Sequence, residues 1–129
     1  MTDWAEPDPW WRRCNFVEAR DGDTFRVRAD LGFRIYHEGA LRLRGVDTPE
    51  MEMALGTVNP LGVAAKEYAE RWFGRHRHYK SRKWHYWIQT EREVTTYDRY
   101  VARVYCLRGH SLADDLVASG HALAIPETL

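Results

Sequence analysis

Residues 41–50 read L-R-L-R-G-V-D-T-P-E, the pattern of a strand that ends in a working loop. Leu41, Leu43 and, past Gly45, Val46 are apolar. Arg42 and Arg44 alternate with the leucines and fall on the opposite face. The chain then turns, and Asp47-Thr48-Pro49-Glu50 sets two carboxylates and a hydroxyl close together, with a proline fixing the bend. An arginine on the strand with two carboxylates within eight residues is more charge than a wet strand face needs. The collection is suited to handling something charged.

Upstream, residues 15–19 read as a short strand through Phe16 and Val17, and Asp21-Gly22-Asp23-Thr24 is a tight-turn signal. Residues 25–29, F-R-V-R-A, alternate cleanly as a half-buried strand. Residues 30–39 form a hairpin connection, and 41–46 are the third strand of a β-meander. Downstream, 51–61 read as a loop. Residues 62–73 form a helix with a broad apolar stripe (Val63, Ala64, Ala65, Tyr68, Ala69, Trp72, Phe73), which Gly74 is expected to stop. Residues 84–90 and 97–107 are the fourth and fifth strands. Ser111 with Asp114 starts a second helix in the manner of a capping box, with Leu112, Ala113, Leu116 and Val117 on one face and Gly120 closing it. The tail 121–129 is expected to be weakly structured. The fold class is mainly β: a five-stranded, OB-fold-like barrel with one helix between strands 3 and 4 and one after strand 5. Such barrels commonly bind nucleic acids.

A chain of 129 residues with 44% hydrophobic and 29% charged content is one globular domain. Residues 1–11 are a Trp- and Pro-rich arm, expected to pin its rings on the body, and 12–129 form the domain. Lys+Arg and Asp+Glu are both 19, so any grip on a polyanion must come from local charge. The most basic run holds Arg71, Arg75, Arg77, Lys80, Arg82 and Lys83 with His76 and His78 interleaved. Such runs are commonly solvated surface, but the interleaved rings make Arg75, Arg77, Lys80, Arg82 and Lys83 candidates for tracking a nucleic-acid backbone. Cys14 and Cys106 are too few for a disulfide framework and read as free, buried thiols. The acidic, proline-broken start is no signal peptide and no apolar run reaches membrane length, so a cytoplasmic protein without membrane association is expected. His76, Arg77, His78 and His85 have no cysteine pair to support a zinc site.

Carboxylates from two turns, Asp21/Asp23 and Asp47/Glu50, repel one another unless a cation lies between them. Oxygen donors without a Cys/His set favour Ca²⁺ or Mg²⁺. Arg42, and Arg99 from the fifth strand, fit phosphate recognition. A hard metal, a spare carboxylate and two guanidiniums suit phosphodiester hydrolysis.

D-G-D-T at 21–24, R-L-R-G-V-D-T-P-E at 42–50 and Y-D-R-Y-V-A-R-V-Y at 97–105 resemble the staphylococcal nuclease (thermonuclease) family. The G-V-A-A-K-E-Y-A-E helix at 62–70 and S-L-A-D-D-L-V-A-S-G at 111–120 follow in the family's order. The resemblance implies an OB-like barrel and a Ca²⁺-dependent endonuclease that acts on DNA and RNA and releases 3′-phosphate ends. Matched position by position, it implies Asp23 and Asp47 as direct Ca²⁺ ligands, Thr48 as a backbone-carbonyl ligand and Asp21 as a carboxylate near the metal waters. It implies Glu50 as the general base, and Arg42 and Arg99 as phosphate clamps, with Arg103 the fallback for Arg99. Asp98 stands where the family usually has glycine, and could pair with Arg99. Thr96 stands where a lysine often helps hold substrate. The chain ends nine residues after Gly120, where the better-known members continue with ligand-facing tyrosines and a C-terminal helix. The Trp-rich arm, or a partner subunit, is expected to cover that surface. The competing class is a non-catalytic barrel binding nucleic acid or peptide. Retention of all six residues Asp21, Asp23, Arg42, Asp47, Glu50 and Arg99 favours the enzyme.

Overall fold

In the computed structural model, which describes residues 8, 10–78, 83–90 and 99–126, the chain runs β1 (Trp11–Ala19), β2 (Thr24–Asp30), β3 (Tyr36–Leu43), β4 (Val46–Asp47), α1 (Pro60–Arg75), β5 (Tyr86–Thr90), β6 (Arg99–Cys106), α2 (Leu112–Ala118) and β7 (Leu123–Ala124). Five strands close into a barrel in the order β1-β2-β3-β6-β5, with β5 returning to β1. All neighbours are antiparallel except β3 and β6, which pair in parallel from Ala40/Arg99 to Leu43/Ala102. Parallel pairing needs a crossover, and α1 with β5 supplies it. The mainly β barrel with two helices is the architecture expected from the sequence.

β2 shows why the barrel forms. Phe25, Val27 and Ala29 point inward and are buried, while Arg26 and Arg28 are exposed. Leu41 and Leu43, Tyr86 and Ile88, and Ala102, Val104 and Cys106 continue the core round the barrel, with Cys14 from β1. The register of β1 slips between Phe16 and Glu18, a bulge of the kind that bends a strand into a barrel wall. Both cysteines are free and buried, as expected.

α1 covers one end. Asn59 Oδ1 accepts a hydrogen bond from Leu61 N (3.2 Å) and Pro60 takes the first helical position, so the helix starts two residues before the expected Gly62. It also runs past Gly74, which is exposed and bears no strain there; the helix ends where His76 closes it on Trp72 O. Phe73 stacks on Phe16 (4.2 Å between ring centroids) and meets Phe25 and Tyr86 edge-on. Trp72 Nε1 donates to Asp115 Oδ2 at 2.8 Å and ties α1 to α2. α2 starts at its Ser111 cap, but Val117 is exposed rather than on the buried face.

Three boundaries differ from expectation for physical reasons. β1 begins at Trp11, not residue 15, because Trp11 and Arg13 gain strand partners in β5 that no local pattern announces. β3 ends at Leu43: Gly45, at φ +84°, turns the chain and leaves Val46–Asp47 as a separate strand. The described part of the tail, 121–126, is tied down, since Leu123 and Ala124 pair with Asp47 and Val46, and Ile125 N donates to Gly45 O at 2.9 Å. Among the described residues, no helix is long and apolar enough to cross a membrane.

Candidate active site

The turn between β1 and β2 is built from its own side chains. Asp21 Oδ1 accepts from Asp23 N at 3.1 Å, and Arg20 N donates to Thr24 O at 2.9 Å. Gly22 is required by packing: a Cβ there would lie 2.8 Å from Ala65 Cβ and 2.9 Å from the Thr48 side chain. Helix α1 and Thr48 thus close directly on this turn. Asp23, only 6% exposed, accepts hydrogen bonds from Thr48 N (3.0 Å) and Thr24 Oγ1 (3.3 Å).

Arg42 joins the two turns. Its Nη1 lies 2.8 Å from Asp23 Oδ2 and also donates to Leu43 O (3.2 Å) and Val46 O (3.1 Å). Its Nη2 lies 3.6 Å from Asp47 Oδ1, whose side chain is largely exposed. The guanidinium therefore holds the 43–46 turn in shape and neutralises two carboxylates, with Nη2 left toward solvent-exposed Asp47. Burial first, then the Asp21 carboxyl, pushes Asp23 above its ordinary value; Thr48 N–H and Arg42 oppose this.

Glu50 is exposed, three residues beyond Asp47, and its backbone is held by α1. A Cβ on Gly62 would lie 2.1 Å from Glu50 O, so only glycine lets the first helical turn approach that carbonyl. Asn59 N donates to Met51 O at 2.9 Å on the same stretch. Gly22, Gly62 and Ala65 are positioning residues; the sequence reading took Gly22 only as a turn glycine, Ala65 only as part of the helix stripe, and Gly62 only as the helix start. Small residues at these places were the only signal.

The structure thus gathers Asp21, Asp23, Arg42, Asp47 and Thr48, with Glu50 adjoining. β6 sets the Arg99 backbone beside Ala40, two residues before Arg42. The Arg99 side chain, Thr96, Asp98, Lys80 and Arg82 lie outside the described residues. Arg103, the fallback, lines a hollow of about 300 Å³ with Arg44, Val46 and Asp114. Arg75, Arg77 and Lys83 are not in this site; they line hollows beside β5 and the end of β6.

A family model described as Staphylococcal nuclease homologue matches residues 40–128. The chain belongs to the staphylococcal nuclease homologue family. The matched segment carries Arg42, Asp47, Thr48, Glu50 and Arg99, whereas Asp21 and Asp23 precede it. They join it in space, through the Asp23–Arg42 and Asp23–Thr48 contacts. No curated protein sequence matches the chain.

Asp21, Asp23 and Asp47 bring carboxylate oxygens, the donor type that suits the hard cation the family implies, with Asp23 buried beside Asp21. Among the described residues, no three His, Cys, Asp or Glu side chains converge as a metal-holding group. The positive charge between Asp23 and Asp47 belongs to Arg42.

Proposed function

We propose that the protein is a Ca²⁺-dependent nuclease hydrolysing phosphodiester bonds of DNA and RNA internally and leaving 3′-phosphate ends. The observation that carries this reading is Arg42 bridging Asp23 and Asp47 from two different turns, with Glu50 next in the same loop. Asp23 and Asp47 would hold the cation, with the Thr48 carbonyl beside them and Asp21 near its waters; the bound ion supplies Lewis-acid polarisation of a phosphate oxygen.

The chain's own residues do the rest. Glu50 orients a water and takes its proton as the water oxygen bonds to phosphorus. The P–O5′ bond breaks, the 5′ oxygen leaves as a hydroxyl after taking a proton from solvent, and the phosphate stays on the 3′ side. Arg42 Nη2, with Arg99, neutralises the charge that builds on the non-bridging oxygens.

The test is digestion of single-stranded DNA and RNA with Ca²⁺ and with chelator. Cleavage is expected only with Ca²⁺, and steeply reduced in Glu50→Ala. Cleavage that persists in chelator rejects the mechanism. Binding without any cleavage would favour the second reading, a non-catalytic binding barrel, which the basic surface described next would also suit.

A further inference from the structure

The chain has no net charge, yet its cations are not spread evenly. Two adjoining hollows of about 440 and 400 Å³ share His78, Leu107 and Arg108. The first adds Arg75, His76 and Arg77 from the end of α1; the second adds Arg13, Lys83, Trp84 and Trp87 from β1 and the approach to β5. Among the described residues, no acidic side chain lines either one. Elsewhere on the surface, Arg26 pairs with Glu38 and Arg71 with Glu67. Among the described residues, Arg13, Arg75, Arg77 and Arg108 make no ion pair. Paired charges are solvated decoration; this group of unpaired like charges carries a standing repulsion that an anionic partner would relieve.

Aromatic rings alternate with the cations. Arg13 sits over Trp87 at 5.2 Å, and Lys83 lies 5.9 Å from the Trp84 ring and 4.9 Å from Tyr36. Trp87 meets Trp11 edge-on, and Trp11 rests on Tyr105 at 5.3 Å. These rings come from the outward positions of β1, β5 and β6 and from the segments beside them, and all are only half-buried. His76 and His85 are held below the usual imidazole value by burial first, and then by His110, Arg75 and Arg108 for His76 and by Arg77 and His78 for His85. Asp115 opposes this at His76, and the His78 N–H contact at His85. Neighbouring cations thus act on His76 at one end of the surface and on His85 near the other.

We infer that this surface, from Arg75 and Arg77 through Arg108 to Lys83, Trp84 and Arg13, is a binding tract for single-stranded nucleic acid. The cations engage successive phosphates, and Trp84 and Trp87 offer ring faces to unstacked bases. Duplex ends up disfavoured because its bases are already stacked. The tract lies on the β1–β5 side of the barrel, apart from the carboxylate site at the β1–β2 turn and the end of β3. It rests on the nuclease reading only for its purpose, holding substrate; the binding itself does not require catalysis.

The experiment is fluorescence anisotropy of a labelled oligothymidylate in chelator, with the Glu50→Ala protein, over a salt series. The expected result is binding whose log–log salt slope reflects several phosphates. Arg75→Gln/Arg77→Gln/Arg108→Gln should cut that slope by roughly 2, from about 0.7 per contact. Trp84→Leu should weaken binding by about tenfold, with thermal melts showing that each variant is folded; Trp87→Leu is the second ring variant should Trp84→Leu melt early. Unchanged affinity in the folded variants overturns the tract. Equal binding of duplex, or competition by polyglutamate as effective as by oligothymidylate, overturns its assignment to single strands. Because binding is read without cleavage, loss of the tract and loss of the nuclease reading are separate outcomes.

Discussion

The two charged regions of this barrel are opposites in construction. At the β1–β2 turn, charge is partly buried, of both signs and mutually satisfied: Asp23 has Arg42, Thr48 N and Thr24 Oγ1 as partners. On the β1–β5 side, the described cations are exposed, no described carboxylate lines the hollows they share, and Arg13, Arg75, Arg77 and Arg108 make no ion pair among the described residues. The first arrangement costs desolvation and returns fixed geometry, as a reaction centre needs. The second costs little to build and yields attraction without fixed geometry, which suits a flexible polymer.

The contrast breaks first at Glu50. Glu50→Ala should lower the Ca²⁺-dependent cleavage rate by roughly 10²–10⁴-fold with little change in melting temperature, since the side chain is exposed. A variant with near-normal rate removes Glu50 as the base. Next in size is stability. Arg42→Met leaves Asp23 buried without its cation and should cost about 3 kcal/mol in urea unfolding. Arg108→Met on the basic surface should stay within about 0.5 kcal/mol. Equal costs would erase the distinction between the regions.

Gly62→Ala tests how the helix sets the site. Helix propensity alone favours alanine by about 1 kcal/mol. The new Cβ, however, would fall 2.1 Å from Glu50 O, a backbone atom that cannot rotate away. The clash should win, with a net loss of about 1–3 kcal/mol and a fall in cleavage rate as the Glu50 loop shifts. A more stable variant would show that the contact is not tight. The smallest effect concerns pH. Burial first, then nearby cations, lowers His85, so the unfolded chain binds that proton more readily than the native one. The His85 contribution is therefore intact above the unfolded value of about 6.5 and is lost as pH falls below it. A proton NMR titration placing His85 above 6.5, or a wild-type loss on acidification no greater than that of His85→Gln, would contradict this.

Much of the fold was legible because it is written in short-range pattern. β2 alternates, α1 carries an apolar stripe, and Ser111 caps α2 through Asp114 N at 3.3 Å. The start of α1 at Asn59–Pro60, its run past Gly74 and the turn at Gly45 were local misses of a few residues; the larger ones involve distant partners. Trp11 pairs with Gln89, and Leu123 pairs with Asp47, with nothing in the local sequence to mark either contact. The site divides in the same way. The sequence reading joined Asp21, Asp23, Arg42, Asp47, Glu50 and Arg99 into one group, and the family resemblance added Thr48. Neither showed that Arg42 Nη1 is already occupied by Asp23 and two carbonyls, or that Arg75, Arg77 and Lys83 lie on a different side.

The sequence by itself determined the strand alternation, the Ser111 cap of α2, the fold class and the set of residues that can carry charge, because periodicity and turn chemistry act over a few residues. Only the tertiary structure decided which charges neutralise one another and which are left open. Coulomb attraction and desolvation depend on distance and burial, and the closing of β3 on β6, the approach of α1 to Gly22 and Glu50, and the return of the tail to β4 set both.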